Sequence, residues 1–393
     1  MAVAVCIIRQ SIYPNDLLVR REAETLVQAG YETHVICLKR FPTDPIQLKE
    51  EVINGVYVHH LPLKRIKTSN VRYIFDYLTF ALLAGFKVTW LHFKKHFKVV
   101  QVNNMPDLLV FSALVPKWLG AKVLFMVYEP TVELWEESRK TKAPKVINFV
   151  QQRALAFADA SITVTEQLKE TLVTRGASPS KIRVALNAPD ETFLKAQRQL
   201  DLVERDSDGF RLICHGAIED RYGQDTILDA VALLRDKIPG LSVHFLGQGT
   251  AVESMTRRID QLGLTDFVQY MGYVPLSQLT SELQSADAGI VAQKSSSYSN
   301  LVHTGKMYDY IAFGKPVVAT RLKAVCAYFD DSTLAYFESG NPESLAAAIL
   351  DLYRNPQKGA DYVKNAREKY AEYCWEKQKE IYLGTYTELI GRA

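Results

Sequence analysis

Short apolar runs of strand length alternate with longer runs of helical spacing along most of this 393-residue chain. Residues 3–8 and 33–38 are rich in β-branched side chains, and residues 16–29 between them repeat apolar positions at helical spacing and end on Gly30. A strand, a helix and a second strand form a βαβ unit, whose crossover is right-handed in nearly all proteins. Similar units continue to residue 165, so the first half predicts a doubly wound parallel sheet.

A polar segment separates this series from a second one. Residues 195–209 are charged and lack apolar periodicity, which is typical of a linker between domains. A new α/β series starts at residue 210 and continues to residue 320. We therefore predict a first domain of residues 1–195 and a second of residues 196–375, with a cleft between them. In such sheets, ligands bind at the carboxyl ends of the strands.

Composition and charge exclude several classes of protein. Lys and Arg number 47 against 44 Asp and Glu, a formal net charge of +3, which is too balanced for a dedicated nucleic-acid binder. The five cysteines form no C-x-x-C pair, so structural zinc is not expected and a reduced, cytoplasmic compartment is favoured. The N-terminus has no signal-peptide pattern, and the apolar stretch 73–86 is shorter than the roughly 20 residues that span a bilayer.

The loop HGAIEDRYG follows the first strand of the second half. Its glycines, Gly216 and Gly223, would let backbone N–H groups approach a phosphate at a helix N-terminus, and Arg221 would add a positive charge. An ordinary β-to-α turn with a solvated arginine has the same residues, and the local sequence favours neither interpretation.

A second candidate phosphate site lies in the segment HTGKMYDYIAFGKPVVA, residues 303–319. A helix over residues 304–312 places Lys306, Asp309 and Tyr310 within one turn. Lys306 could neutralise phosphate oxygens, and Asp309 could accept hydrogen bonds from ribose hydroxyls. The alternative is an ion pair on the surface of a helix, which uses the same spacing.

Segments of both halves resemble the retaining glycosyltransferases of family 4, which adopt the GT-B fold. The matching segments of the first half are SIYPNDLLVRREAETLVQAGYETHVI, VNNMPDLLVFSALVPKWLGAKVLF, ADASITVTEQLKETL and VALNAPDETF. Those of the second half are HGAIEDRYGQDTILDAVALL, YMGYVP, SADAGIVA and residues 303–319. The resemblance implies an α/β fold of two Rossmann-like domains whose parallel sheets face each other across a cleft. It also implies that the C-terminal residues 376–393 pack back on the first domain.

The resemblance implies that the second domain binds a nucleoside-diphosphate sugar. Arg221 and Lys306 would contact the diphosphate, and Asp309 would hold the ribose in place of the second Glu of an E-x7-E motif. The base would lie against the backbone of the Tyr273 region. The implied donor-binding residues are Gly216, Arg221, Tyr273, Val274, Lys306 and Asp309. Neither a cofactor nor a metal is expected, because cationic side chains and helix dipoles can stabilise a leaving diphosphate.

The acceptor side departs from the family pattern. Leu301 stands where the first Glu of E-x7-E is expected, and Asn103 or Asn104 and Tyr128 stand where related sequences place histidines. The polar candidates on this side are Asn103, Asn104, Tyr128, Glu129 and Glu133. The residues that we predict to be catalytic are Glu129, Arg221 and Lys306. Tyr128 is a poor base, because the pKa of tyrosine is about 10; the alternative for the two carboxylates is a solvated loop.

Residues 64–98 interleave cations with aromatic rings around a helix predicted over residues 71–97. Such a surface suits anionic lipid headgroups, since each cation near the membrane adds about 1 kcal/mol and aromatic rings lie at the interface. We predict peripheral membrane contact through this stretch. The alternative is that its apolar face packs on the first sheet and that only the lysines are exposed.

These features together predict a retaining glycosyltransferase. It would move a sugar from a nucleoside-diphosphate sugar, with UDP favoured over GDP, to a lipid-linked glycan acceptor in cell-surface polysaccharide synthesis. The alternative is a noncatalytic sugar-nucleotide-binding or scaffolding protein of the same fold, because of Leu301 and the missing histidines. An NAD-dependent oxidoreductase is disfavoured, since Val252 follows Gly247-Gln248-Gly249 where a third glycine is required.

Overall fold

The chain forms two compact units. The computed structural model describes residues 2–40, 48–63, 70–189 and 209–391. The first unit comprises Met1–Asn187 and Glu376–Ala393, and the second comprises Ala188–Trp375. The predicted boundary at residue 195 lies outside the described residues, as does most of the predicted linker.

The first unit is a sheet with helices. Its strands are β1 (Ala4–Ile8), β2 (Glu32–Leu38), β3 (Glu50–Ile53), β4 (Val56–Leu61), β5 (Val99–Asn103), β6 (Lys122–Val127), β7 (Ala160–Thr163) and β8 (Ile182–Val184). Its helices are α1 (Leu17–Gln28), α2 (Asn70–Lys95), α3 (Leu114–Trp118), α4 (Thr131–Arg139), α5 (Lys145–Phe157) and α6 (Glu166–Thr174), with 3-10 turns at Asp107–Ala113 and Pro179–Lys181. The strand order is β3-β4-β2-β1-β5-β6-β7-β8. Every residue of β1 and β5 is buried, as expected for central parallel strands that are covered on both faces.

One edge strand departs from the predicted parallel arrangement. Strand β3 pairs with β4 in the antiparallel direction, whereas the other strand pairs of this sheet are parallel. The cause is a two-residue turn at Asn54 and Gly55, whose φ angles are 51° and 82°. An Asn-Gly pair favours this type of tight hairpin, because both residues tolerate positive φ.

The C-terminal helix α14 (Trp375–Gly391) contacts the sheet of the first unit. The hydroxyls of Tyr382 and Tyr386 donate to Oε1 of Gln101 in β5, at 2.7 and 2.8 Å. Oε1 of Gln378 accepts a hydrogen bond from the backbone N–H of Leu186 at 2.8 Å. Both tyrosines are fully buried, so the helix contributes to the core of this unit.

The second unit is a six-stranded parallel sheet in the order β11-β10-β9-β12-β13-β14. These strands are β9 (Arg211–His215), β10 (Ser242–Leu246), β11 (Val268–Gly272), β12 (Ala288–Val291), β13 (Val317–Thr320) and β14 (Ala335–Phe337). The helices are α7 (Gln224–Leu234), α8 (Val252–Leu262), α9 (Leu276–Ser285), α10 (Gly305–Ala312), α11 (Lys323–Cys326), α12 (Pro342–Arg354) and α13 (Pro356–Ala371). A 3-10 turn at Asp220–Tyr222 precedes α7.

Alternate side chains of β9 fix the helices on the two faces of this sheet. Leu212 and Cys214 belong to the same buried cluster as Ile227 of α7. Ile213, which points to the opposite face, belongs to the cluster that contains Met307 of α10. Helix α10 is therefore held against the sheet, with its N-terminal turn near the carboxyl end of β9.

Candidate functional site

Glycines bring three loops of the second unit together at the carboxyl ends of their strands. The backbone N–H of Gly216, after β9, donates to the carbonyl of Leu246 at 2.8 Å. The N–H of Gly247, after β10, donates to the carbonyl of Gly272 at 2.7 Å. Gly247 has a φ of 137°, and a Cβ there would lie 1.8 Å from the carbonyl oxygen of Gly216. The Gly-x-Gly pattern thus serves close packing of loops in this structure.

Two cationic side chains of this region lie beside one aromatic ring. The guanidinium carbon of Arg221 is 5.1 Å from the ring centre of Tyr222, and Nζ of Lys306 is 4.4 Å from it. Gly216 adjoins the same ammonium, since a Cβ there would lie 3.6 Å from Nζ. Lys306 is only 7% exposed, and burial lowers its pKa. Nε of Arg221 is buried and has no hydrogen-bond partner among the described residues.

A carboxyl and an imidazole lie next to these cations. Oδ2 of Asp309 is 3.5 Å from Nε2 of His215, and this nitrogen is buried and has no hydrogen-bond partner in the part of the chain that the structure describes. Burial raises the pKa of Asp309 to about 7, and Lys306 opposes this shift. Burial, with a further contribution from Lys306, lowers the pKa of His215 to about 3, so the imidazole is neutral at pH 7. The phenol oxygen of Tyr310 accepts the backbone N–H of His215 at 3.2 Å and ties α10 to β9.

His215 was not among the site residues predicted from the sequence. A signal was present, because His215 is a polar residue at the carboxyl end of a buried strand, directly before Gly216. What could not be foreseen is its distance from Asp309, which lies 94 positions further along the chain.

The remaining donor-side residues lie in neighbouring loops. Tyr273 and Val274 follow β11, and the Tyr273 side chain is 77% exposed. Leu301 lies in the loop between β12 and α10, where its backbone N–H donates to the carbonyl of Tyr298 at 3.0 Å. Asp309 is the only carboxylate in the sequence from residue 288 to residue 320, so no neighbour in this segment replaces the Glu that is missing at Leu301.

In the first unit, Asn104 organises the loop that follows β6. Its Oδ1 accepts the backbone N–H groups of Tyr128 and Glu129 at 2.9 and 3.3 Å, and its Nδ2 donates to the carbonyl of Glu129 at 2.8 Å. Nη1 of Arg9, directly after β1, donates to the Asn104 carbonyl at 3.1 Å, and its guanidinium lies 5.0 Å from the Tyr128 ring centre. Within the described ranges, the Tyr128 hydroxyl is buried without a hydrogen-bond partner. Asn104, Tyr128 and Glu129 are therefore brought together, with Arg9 as an addition that our sequence analysis missed.

Asn103 and Glu133 are engaged elsewhere. Asn103 is fully buried and donates to Oε2 of Glu22 at 2.9 Å, and it accepts from Nε2 of Gln101 at 2.7 Å. Glu133 lies in the first turn of α4, is 5% exposed and forms an ion pair with Arg175, so it is not in a solvated loop. Within the described ranges, no group of three or more His, Cys, Asp or Glu side chains is arranged to hold a metal ion.

The buried carboxyl of Glu22 should make stability depend on pH. Burial raises its pKa from 4.5 to about 7, with Arg21 and the amide of Asn103 acting in the opposite direction. Between these values the unfolded chain releases the proton that the folded chain keeps, so the contribution of Glu22 to stability falls as pH rises. The free energy of unfolding of Glu22→Gln, taken as its difference from wild type, should therefore increase by about 3 kcal/mol as the pH rises from 4.5 to about 7.

Urea denaturation between about pH 5 and about pH 8 measures this gain. The control is Glu170→Gln, at an exposed glutamate of α6, which makes the same change of residue outside the buried network. Parallel stability profiles for Glu22→Gln and wild type would contradict the raised pKa.

Two family models match the sequence. "Glycosyl transferase 4-like domain" matches residues 18–188, and "Glycosyl transferases group 1" matches residues 198–369. A D-inositol 3-phosphate glycosyltransferase of Paenarthrobacter aurescens is 26% identical over 265 residues, 65% of this chain and 63% of that protein. A GDP-mannose-dependent alpha-(1-6)-phosphatidylinositol monomannoside mannosyltransferase of Mycolicibacterium smegmatis is 24% identical over 152 residues, 38% of this chain and 40% of that protein. The chain thus matches less than two thirds of the length of these relatives.

Solved structures share the fold at low sequence identity. The sucrose-phosphate synthase of Thermosynechococcus elongatus has a TM-score of 0.78 at 18% identity, with 100% of both chains covered. The Anabaena protein HepE, in complex with UDP-glucose, has a TM-score of 0.73 at 13% identity, over 98% of this chain and 99% of that one. The two family models establish that the chain is a member of the family 4 glycosyltransferases, and the solved structures show that it has their GT-B fold.

Proposed function

We propose that this protein is a retaining glycosyltransferase whose second unit binds the diphosphate of a nucleotide sugar between Arg221 and Lys306. The observation that supports this most strongly is the pair of cations beside the Tyr222 ring. Two buried or half-buried cations in one place repel each other, and a diphosphate offsets that repulsion. The same cations then stabilise the charge that develops on the diphosphate as it leaves.

Asp309 is proposed to accept hydrogen bonds from the ribose, with neutral His215 beside it as a second polar contact. The loop of Gly216 is proposed to approach the phosphates, and the backbone at Tyr273 and Val274 is proposed to receive the base. In the reaction, the bond from the anomeric carbon to the diphosphate breaks and a bond to an acceptor hydroxyl oxygen forms. The hydroxyl loses its proton, and the nucleoside diphosphate is released.

The acceptor is proposed to bind at the first unit. Asn103, Asn104 and Glu133 are used in hydrogen bonds and an ion pair within that unit, so they position the loops. Glu129 and Tyr128, the other two candidates of this unit, are proposed to contact the acceptor.

We propose that UDP is the nucleotide and that the acceptor is lipid-linked, in polysaccharide synthesis at the inner face of the membrane. UDP-glucose is bound in the HepE structure, whereas the mycobacterial relative is named for GDP-mannose and for a phosphatidylinositol mannoside. Residues 64–98 supply cations suited to an anionic lipid surface.

Calorimetric titration with UDP and GDP tests this function. We expect UDP to bind the folded protein and GDP to bind more weakly; a folded protein that binds neither nucleotide would refute the proposal. Because Arg221 and Lys306 supply positive charge, transfer is expected to persist in EDTA, and its loss would show that a divalent metal is required.

A noncatalytic sugar-nucleotide-binding protein is the second candidate. Leu301 favours it, because no other carboxylate of the segment from residue 288 to residue 320 accompanies Asp309. Slow hydrolysis of the bound donor, measured as release of free sugar, would support an enzyme. Tight nucleotide binding with neither hydrolysis nor transfer across a broad acceptor panel would support the second candidate.

A further inference from the structure

Helix α2 has two apolar faces. One face packs into the first unit through Phe80, Ala84, Val88 and Leu91, each at most 4% exposed. This burial makes one face of the helix part of the core of the first unit.

The other face is exposed. Six large apolar side chains, spaced three or four positions apart, form what we call the α2 stripe: Phe75, Leu78, Leu82, Phe86, Trp90 and Phe93. Their exposures run from 47% to 75%, and they are the only exposed residues from position 75 to position 93. The stripe extends over about 27 Å at 1.5 Å per residue. A contiguous apolar patch of this kind marks an interaction surface.

Lysines lie along the margin and at the end of the stripe. Nζ of Lys94 is 3.5 Å from the Trp90 ring centre, and Nζ of Lys87 is 4.8 Å from it. Lys87 pairs with Glu50 at 2.5 Å and Lys95 pairs with Glu32 at 2.6 Å, which ties α2 to the strands β3 and β2. Of the alternative interpretation of this stretch, the packing of one apolar face on the first unit is confirmed, whereas the exposure of the lysines alone is wrong.

The charge of the surrounding sequence indicates what covers the stripe. Residues 64–98 contain eight Lys or Arg and one carboxylate, Asp76, a net charge of +7. The whole chain nets +3, so the rest of it nets −4. A second copy docking through this face would bring together two stretches with an excess of cations, which disfavours a symmetric dimer. An anionic surface is complementary to it. Of the eight cations, Lys64, Arg65 and Lys67 lie outside the described residues, as does the side chain of Arg72, and Lys87 and Lys95 are the two that pair with glutamates.

We propose that the α2 stripe docks on an anionic lipid bilayer. The helix lies parallel to the membrane, with its six apolar side chains at the level of the headgroups and the neighbouring lysines close to lipid phosphates. None of the helices in the described part of the chain is long and apolar enough to cross a membrane, which agrees with a helix that lies on it. The docking deepens the proposed function, because it would bring the first unit to a lipid-linked acceptor. Binding to the bilayer does not itself require catalytic activity.

Vesicle co-sedimentation of the full-length protein tests the docking. We expect binding to phosphatidylcholine vesicles that contain about 30% phosphatidylglycerol, and much weaker binding to pure phosphatidylcholine. Phe86→Glu should reduce binding to the anionic vesicles by about tenfold or more, since it replaces a ring that would be buried in the interface. The matched control is Phe149→Glu, at a ring of α5 that is 53% exposed and lies outside the stripe, and it should bind as wild type does.

UDP titration of each variant separates the docking from the proposed function. Phe86→Glu that binds UDP normally but has lost vesicle binding supports the proposal. Wild type that fails to bind anionic vesicles, or equal losses for Phe86→Glu and Phe149→Glu, would overturn it. A third outcome would also overturn it: light scattering shows that wild type is a dimer and Phe86→Glu a monomer, and neither protein binds vesicles. The stripe would then be the contact with a second copy.

Discussion

Lys306→Met is expected to lower sugar transfer by about 10²- to 10³-fold, because one preorganised positive charge at the leaving diphosphate is lost. The same change should raise the free energy of unfolding of the ligand-free protein, because it removes a charge that burial disfavours. Lys306 is 7% exposed and burial lowers its pKa, so its charge is costly to bury in the absence of substrate. Methionine keeps the length of the side chain and removes that charge.

Initial rates of transfer and thermal denaturation without ligand measure the two effects. The control is Lys358→Met, at a lysine of α13 whose side chain is 49% exposed and pairs with Asp351 at 2.7 Å, for which both quantities should stay close to wild type. If Lys306→Met lowers the thermal stability and lowers the transfer rate in proportion to that loss of stability, Lys306 is a structural residue. Wild-type turnover would remove it from the site.

Asp309→Ala is expected to weaken binding of UDP-glucose by about tenfold or more at pH 8, because hydrogen bonds from ribose to a charged acceptor are lost. Burial raises the pKa of Asp309 to about 7, so its ionised fraction in the free protein rises through that pH. The carboxylate is the stronger acceptor. The difference in affinity between wild type and Asp309→Ala should therefore shrink as the pH is lowered to about 6.

Calorimetric titration at both pH values provides the measurement. Asp260→Ala, at an exposed carboxylate of α8, is the matched control and should keep the wild-type affinity at each pH. An affinity difference for Asp309→Ala that does not change between the two pH values would contradict the role of the ionised carboxylate at the ribose.

Much of the fold could be predicted because parallel strands that are buried on both faces appear in the sequence as continuous apolar runs. The α/β class and the family are confirmed. Strand β3 was missed, because its polar EEVI segment has no apolar run, although the Asn-Gly turn after it was a usable signal.

The candidate site was predictable in part. Gly216, Arg221, Lys306 and Asp309 lie together around the carboxyl end of β9, as a donor site would require, and their roles remain predictions. On the acceptor side, residue type alone could not distinguish a polar group that meets a ligand from one that holds a loop. Asn104 is of the second kind, because its amide bonds to the backbone of the next strand's loop.

The sequence by itself determined the two α/β series, the spacing of Lys306 and Asp309 on one helical turn, and the excess of positive charge in residues 64–98. These are properties of local sequence or of summed charge, and none of them depends on which distant residues come into contact. Only the tertiary structure decided that His215 lies beside Asp309 and that Arg221 and Lys306 share the ring of Tyr222. It also decided which apolar face of α2 is buried, because hydropathy cannot distinguish two apolar faces of one helix until the sheet covers one of them.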